Sequence, residues 1–77
     1  MVEWVAVKTS RINRIGYNRE VKTMFIDFQG SEIDTPYVNV PESVFKSFSK
    51  SDTINKYFNE YIDGKFKVEH VGDSYKD

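Results

Sequence analysis

Apolar residues in this chain recur with two different periods, and the change of period divides it. Over 22–29, KTMFIDFQ, Met24, Ile26 and Phe28 alternate with Thr23, Asp27 and Gln29, the period of a half-buried strand. Phe25 interrupts the polar side, so this strand is expected to be covered in part on both faces. Residues 4–9, WVAVKT, are a second run of strand formers. Between them, Ile12 and Ile15 precede Gly16 and Asn18, residue types that tolerate turns. The pattern predicts a short strand or bend at 12–17 with a turn signal at Gly16, then a turn at 18–21. Gln29-Gly30-Ser31 predicts the next turn and 31–40 a returning strand. Pro36 cannot donate to a ladder, which places that strand at an edge or gives it a bulge; its best-formed part is expected at 37–40.

After Val40 the period changes. Pro41 and Glu42 suit the start of a helix, and Val44, Phe45 and Phe48 follow at helical spacing up to residue 49 or 50. Ser51-Asp52-Thr53 offers a second N-cap. Ile54, Tyr57, Phe58, Tyr61 and Ile62 then repeat at i, i+3, i+4, i+7 and i+8, the strongest periodic signal in the chain, and place Tyr57, Phe58 and Tyr61 in or beside the core. Gly64 fits the residue that ends such a helix. Phe66-Lys67-Val68 predicts one last short strand. The predicted fold is α+β: a small antiparallel β-sheet of three to four strands followed by two helices packed on one face. One domain is expected over 1–70, with 71–77 as a flexible C-terminal tail.

Seventy-seven residues are few for a core, and twelve aromatic rings show how one is built. The absence of cysteine excludes disulfides and thiolate metal sites, and His70 is the single histidine. No metal and no cofactor is expected. No nucleophile stands beside a base in any recognisable spacing, and no phosphate-cradling glycine loop occurs. A non-enzymatic chain is therefore expected. No membrane-spanning run or signal peptide is apparent, which points to a cytoplasmic protein without membrane contact.

Net charge is −1, but its distribution is uneven. Residues 1–22 carry Lys8, Arg11, Arg14, Arg19 and Lys22 against Glu3 and Glu20, while 23–77 carry six lysines and ten acids. All three arginines lie in the first segment. They predict either a basic face made by the first two strands or an ordinary solvated surface. Small sheets that bind nucleic acid stack bases on exposed aromatic rings beside such a face. Tyr17, Phe25 and Tyr37 are the candidate rings; the competing account is that they fill the core or cover the outer sheet face. Thr9-Ser10 forms a turn or contacts phosphate. Trp4 and Tyr75 are candidates for a protein interface, where Trp, Tyr and Arg carry most of the binding energy.

The order of residues carries a resemblance. Thr9-Ser10-x-Ile12-x-x-Ile15-Gly16-Tyr17-Asn18, then Tyr37-x-Asn39-Val40-Pro41-x-x-Val44, then Tyr57-Phe58-Asn59-x-x-Ile62 resemble the KTSC domain family over roughly residues 5–66. That family includes the C-terminus of some lysyl-tRNA synthetases and small stand-alone bacterial and phage proteins. The resemblance implies the fold and, through the synthetase association, hints at RNA contact without implying an activity. Departures from it are Thr35 where the first Tyr of a Y-x-Y strand would stand, Asn18 for an acid, Asn55 for a frequent Gly, and a segment 30–40 about two residues longer. Loss of one tyrosine would halve a Y-x-Y stacking platform.

Three functions follow as expectations. The first is a non-catalytic binding module for RNA, using Lys8, Arg11, Arg14, Tyr17, Arg19, Lys22 and Tyr37. The second is a small phage-type protein that binds, and inhibits or adapts, a host protein. The third is a binder of a small phosphorylated ligand. A homodimer through an unpaired edge, either the Pro36 strand or the tail strand, is compatible with each.

Overall fold

A computed structural model describes residues 1–69; His70, Tyr75 and the tail expected at 71–77 lie outside the described residues. Four strands, β1 (Glu3–Ala6), β2 (Ile12–Asn18), β3 (Thr23–Phe28) and β4 (Thr35–Tyr37), form one antiparallel sheet in the order β1-β2-β3-β4. Two helices follow, α1 (Glu42–Ser49) and α2 (Ile54–Tyr57). The chain continues from α2 without a break into a π-helical turn over Phe58–Ile62, closed by Asp63 N–H donating to the Phe58 carbonyl.

The alternation read from the sequence divides the two faces of the sheet. Ile15, Tyr17, Met24, Ile26 and Tyr37 point inward and meet Val40, Phe45, Phe48, Ile54, Phe58 and Ile62 in a single core. Each fully buried aliphatic or phenylalanine side chain contributes about 1.5–3 kcal/mol relative to exposure. Rings are arranged across that core: Tyr17 stacks on Phe45 at 5.0 Å, and Phe58 meets Phe28 and Tyr37 edge-on. Among the described residues, the helices therefore cover one face and leave the other open.

Several local expectations are corrected. Gly16 is not in a turn; it lies inside β2, paired with Trp4 and Phe25. Its missing Cβ is needed there, because a Cβ on Gly16 would meet carbons of the Trp4 ring at 2.8 Å. β4 ends at Tyr37 rather than running to Val40, since Asn39 adopts a left-handed φ of 57° that breaks the extended chain. Val40 returns to the sheet by a hydrogen bond from its N–H to the Lys22 carbonyl. Pro36 sits in regular register opposite Phe25, on the last strand of the sheet as its missing donor requires, and causes no bulge there. The irregularity falls in β2 instead, between Ile12 and Arg14. Residues 66–68 give a single bridge, Tyr37 to Val68, rather than a strand.

Of the two places expected for it, in the core or beside it, Tyr61 takes the outer one: it is 56% exposed and leans at 4.8 Å on Tyr57, which itself packs against the core. The π turn explains this. Its wider winding keeps residues four apart in line, so Ile54, Phe58 and Ile62 face inward and Tyr61 is turned out. Among the described residues no helix is long and apolar enough to cross a membrane.

Candidate functional site: the open face of the sheet

Of the seven residues singled out from the sequence, the two tyrosines are not available to stack on a base. Tyr17 is 3% and Tyr37 5% exposed. The Tyr17 hydroxyl donates to the Val40 carbonyl at 2.6 Å, inside the core. Burial pushes its pKa above the ordinary 10.0, and the nearby Glu42 charge adds to the rise while Arg19 opposes it. Tyr37 is raised for the same first reason, with Asp63 second. Thr35, at the other position of the Y-x-Y strand, pairs with Ile26 and is half-buried. Residues 35 and 37 share a face, so in this chain the motif serves the core, and its altered half bears on packing.

The basic segment does not form one face either. Arg11 turns toward the helices: its guanidinium lies 5.8 Å from the Phe58 ring centre and its Nη1 donates to Asn59 Oδ1 at 3.3 Å. Arg19 reaches Glu42 at 3.4 Å and Glu3 at 3.7 Å, tying the end of β2 to β1 and to the first turn of α1. Lys8 and Lys22 occupy the turns at opposite ends of β2, each with a left-handed φ, 50° and 54°. Antiparallel strands carry a basic run along β2 from one end of the sheet to the other, and alternation turns its members to different sides.

Thr9-Ser10 makes a turn, as its structural account required, and reaches further. Thr9 Oγ1 accepts from the backbone N–H of Ile12 and Arg11, and its hydroxyl lies 2.9 Å from Asn55 Oδ1. Asn55 Nδ2 donates to Ser10 Oγ at 3.1 Å. The β1–β2 turn is thereby clasped to α2, with the polar residues of the first motif satisfied by Asn55, one of the departures from the family pattern.

The open face gathers residues that the sequence left apart. Trp4, Gly16, Phe25 and Pro36 are successive cross-strand partners and form an apolar row across all four strands. Beside it runs Ala6, Arg14 and Asp27. The Trp4 ring lies on Gly16 and 6.4 Å from the Phe25 ring. The Arg14 guanidinium sits over the indole at 4.0 Å and is held there by Asp27, Nε to Oδ2 at 3.4 Å. Trp4 remains 37% exposed, and Phe25 and Pro36 are half-buried. The result, among the described residues, is a solvent-facing surface of indole, guanidinium, phenyl and proline ring, with the indole and phenyl planes tilted by 38°. The sequence points to Arg14 and Phe25 for a nucleic-acid face and to Trp4 for a protein interface. The signal that joins them is Gly16 at a strand position, where a bulky neighbour on the adjacent strand fills the space of the absent side chain.

A four-stranded antiparallel sheet with helices on one face and an aromatic–arginine surface on the other defines a small α+β module. The pattern of the family described as KTSC domain matches residues 8–66, and the chain belongs to that family. The chain is 31% identical over 62 residues to the lysine–tRNA ligase of Nostoc punctiforme (strain ATCC 29133 / PCC 73102), covering 80% of this chain and 11% of the ligase. It thus spans about a tenth of that relative. The crystal structure of a KTSC domain protein from Yersinia pestis superimposes with a TM-score of 0.82 at 28% identity, covering 94% of this chain and all of the other.

Proposed function

We propose that this KTSC domain is a non-catalytic RNA-contacting module whose binding surface is the open sheet face, not the motif tyrosines. One observation carries the reading: Arg14 is held over the Trp4 ring by Asp27, beside Phe25, on a sheet face that no helix covers among the described residues. Aromatic and guanidinium planes on small sheets accept unstacked bases of single-stranded RNA, with about 1–3 kcal/mol per stacked base. Lys8 stands in the turn beside this surface and supplies charge for the phosphate backbone. The similarity to a lysine–tRNA ligase supports an RNA ligand.

The chain has one tryptophan, so its fluorescence reports on the surface directly. Titration with short single-stranded RNA at low salt is expected to quench Trp4, with affinity falling as salt rises. Phe25→Ala is expected to weaken binding at least tenfold without loss of helical and sheet signal, and Arg14→Ala to weaken it and flatten the salt slope. Unchanged Trp4 emission at saturating RNA, or full affinity in both variants, overturns the proposal.

A protein partner on the same face is the second reading, favoured by the pairing of Trp with Arg. A protein captured from a bacterial lysate after nuclease treatment, and lost with Phe25→Ala, would replace the RNA reading with this one.

A further inference from the structure

We propose that β1 pairs antiparallel with β1 of a second copy about a two-fold axis through Val5, joining two sheets into one of eight strands. The inference rests on backbone geometry and is independent of the RNA reading.

Among the described residues β1 has β2 as its one sheet neighbour, while the other end of the sheet is partly covered by the segment bridging to Tyr37. The Pro36 strand and the tail strand, the two edges expected to serve a homodimer, bridge each other through Tyr37 and Val68, and the proposal therefore takes β1. Val7 N–H donates to the Asn13 carbonyl, so the odd-numbered residues of β1 use their backbone groups toward β2. Antiparallel alternation then directs the N–H and C=O of Trp4 and Ala6 outward, to the open edge. Such a row is a template for another strand.

The edge is also complementary to itself. Two-fold symmetry within one continuous sheet requires partners that share a face, so paired residue numbers must sum to an even number. Hydrogen bonding must use residues 4 and 6. A register summing to ten meets both conditions and keeps the whole of 3–7 paired. A sum of eight shortens the overlap and sets Trp4 on Trp4; a sum of twelve needs Lys8, whose left-handed φ takes it out of the strand.

In the favoured register Trp4 of each copy lies opposite Ala6 of the other, large against small. Val5 meets Val5, both half-buried at the margin of the core. Glu3, the one charged residue of the seam, faces Val7, so no like charges meet. Four main-chain hydrogen bonds result, and the Trp4–Arg14 surfaces of the two copies become continuous on one face. The seam is short, so association is expected to be weak and concentration-dependent.

Ala6→Pro tests this. The Ala6 N–H points away from β2, so proline there removes an outward donor and no bond of the β1–β2 ladder. Sedimentation equilibrium of the full chain is expected to show apparent mass rising from one chain toward two as concentration increases. Amide exchange at Trp4 and Ala6 is expected to slow over the same range. Ala6→Pro, with the circular dichroism of the parent, is expected to sediment as one chain throughout. One-chain mass for the parent at about 1 mM, a concentration that populates weak interfaces, overturns the proposal. Undiminished association in folded Ala6→Pro overturns it, because another surface is then responsible. Protection of Trp4 and Ala6 at every concentration with one-chain mass overturns it by showing that the chain covers its own edge.

Discussion

Trp4 and Gly16 are cross-strand partners in contact so close that the indole occupies the space of a side chain on residue 16. Gly16→Ala is therefore not the mild loss of backbone freedom that an exposed strand glycine would report. The added methyl group must displace the Trp4 ring, and with it the Arg14 stack. We expect destabilisation of about 1–3 kcal/mol, the range for overpacked sites, and a red-shifted Trp4 emission in the folded state. Denaturant unfolding followed by fluorescence checks both; an unshifted emission would contradict the packing.

The hydroxyl of Tyr17 and the carbonyl of Val40 make a buried hydrogen bond that joins β2 to the entrance of α1. Tyr17→Phe leaves that carbonyl without its partner. The expected cost is about 1–3 kcal/mol, the penalty for an unsatisfied buried acceptor, read as a shift of the urea midpoint at constant m-value.

Alkaline stability follows from the same residue and Tyr37. Burial raises both phenol pKa values above 10.0, so the folded state holds its protons after the unfolded chain has released them. The stabilising contribution is whole below pH 10 and is lost as pH rises from there through the folded-state pKa values. Unfolding free energy is expected to fall above pH 10. Tyr17→Phe and Tyr37→Phe are each expected to shallow that fall, which titrations between pH 8 and 12 would show.

The Thr9–Asn55 contact links residues far apart in the chain, the β1–β2 turn and α2. Thr9→Ala and Asn55→Ala are each expected to cost about 1 kcal/mol, a typical net hydrogen-bond contribution. A double-mutant cycle should return a coupling of about 0.5 kcal/mol or more, the level that separates contacting residues from independent ones. Additive effects would show that the turn and helix do not support one another through this bond.

Lys22 holds a left-handed φ of 54° between β2 and β3. Lys22→Gly removes the clash of Cβ with the backbone and is expected to stabilise by up to about 1 kcal/mol. A fall in the thermal midpoint would mean that the lysine side chain contributes to the fold.

How far these relationships could be read beforehand depends on their range. The period-two run through Met24, Ile26 and Phe28 and the helical repeat through Ile54, Phe58 and Ile62 were legible because burial of one face imposes a local rhythm. Pro41 and Gly64 marked a helix start and a helix end for equally local reasons. The position of Tyr61 was not legible, since a π turn leaves no mark that distinguishes it from an α turn in the sequence. Gly16 was misread because glycine signals a turn unless its cross-strand neighbour is known.

The candidate surface was legible only in pieces. Charge counting found Arg14, aromatic counting found Phe25, and Trp4 stood out as the single indole. Register across β1, β2 and β3 puts the three together, and register is a relation between strands. By itself the sequence determined the order of the main strands and helices, the family and the aliphatic part of the core, because propensity, periodicity and motif order are properties of neighbouring positions. Tertiary structure alone decided that Tyr17 and Tyr37 are sealed inside, that the basic segment is dispersed, and that Trp4 lies between Gly16 and Arg14 on an open face. Exposure depends on which side of a sheet the helices cover, and that choice is made by packing between segments distant in the chain.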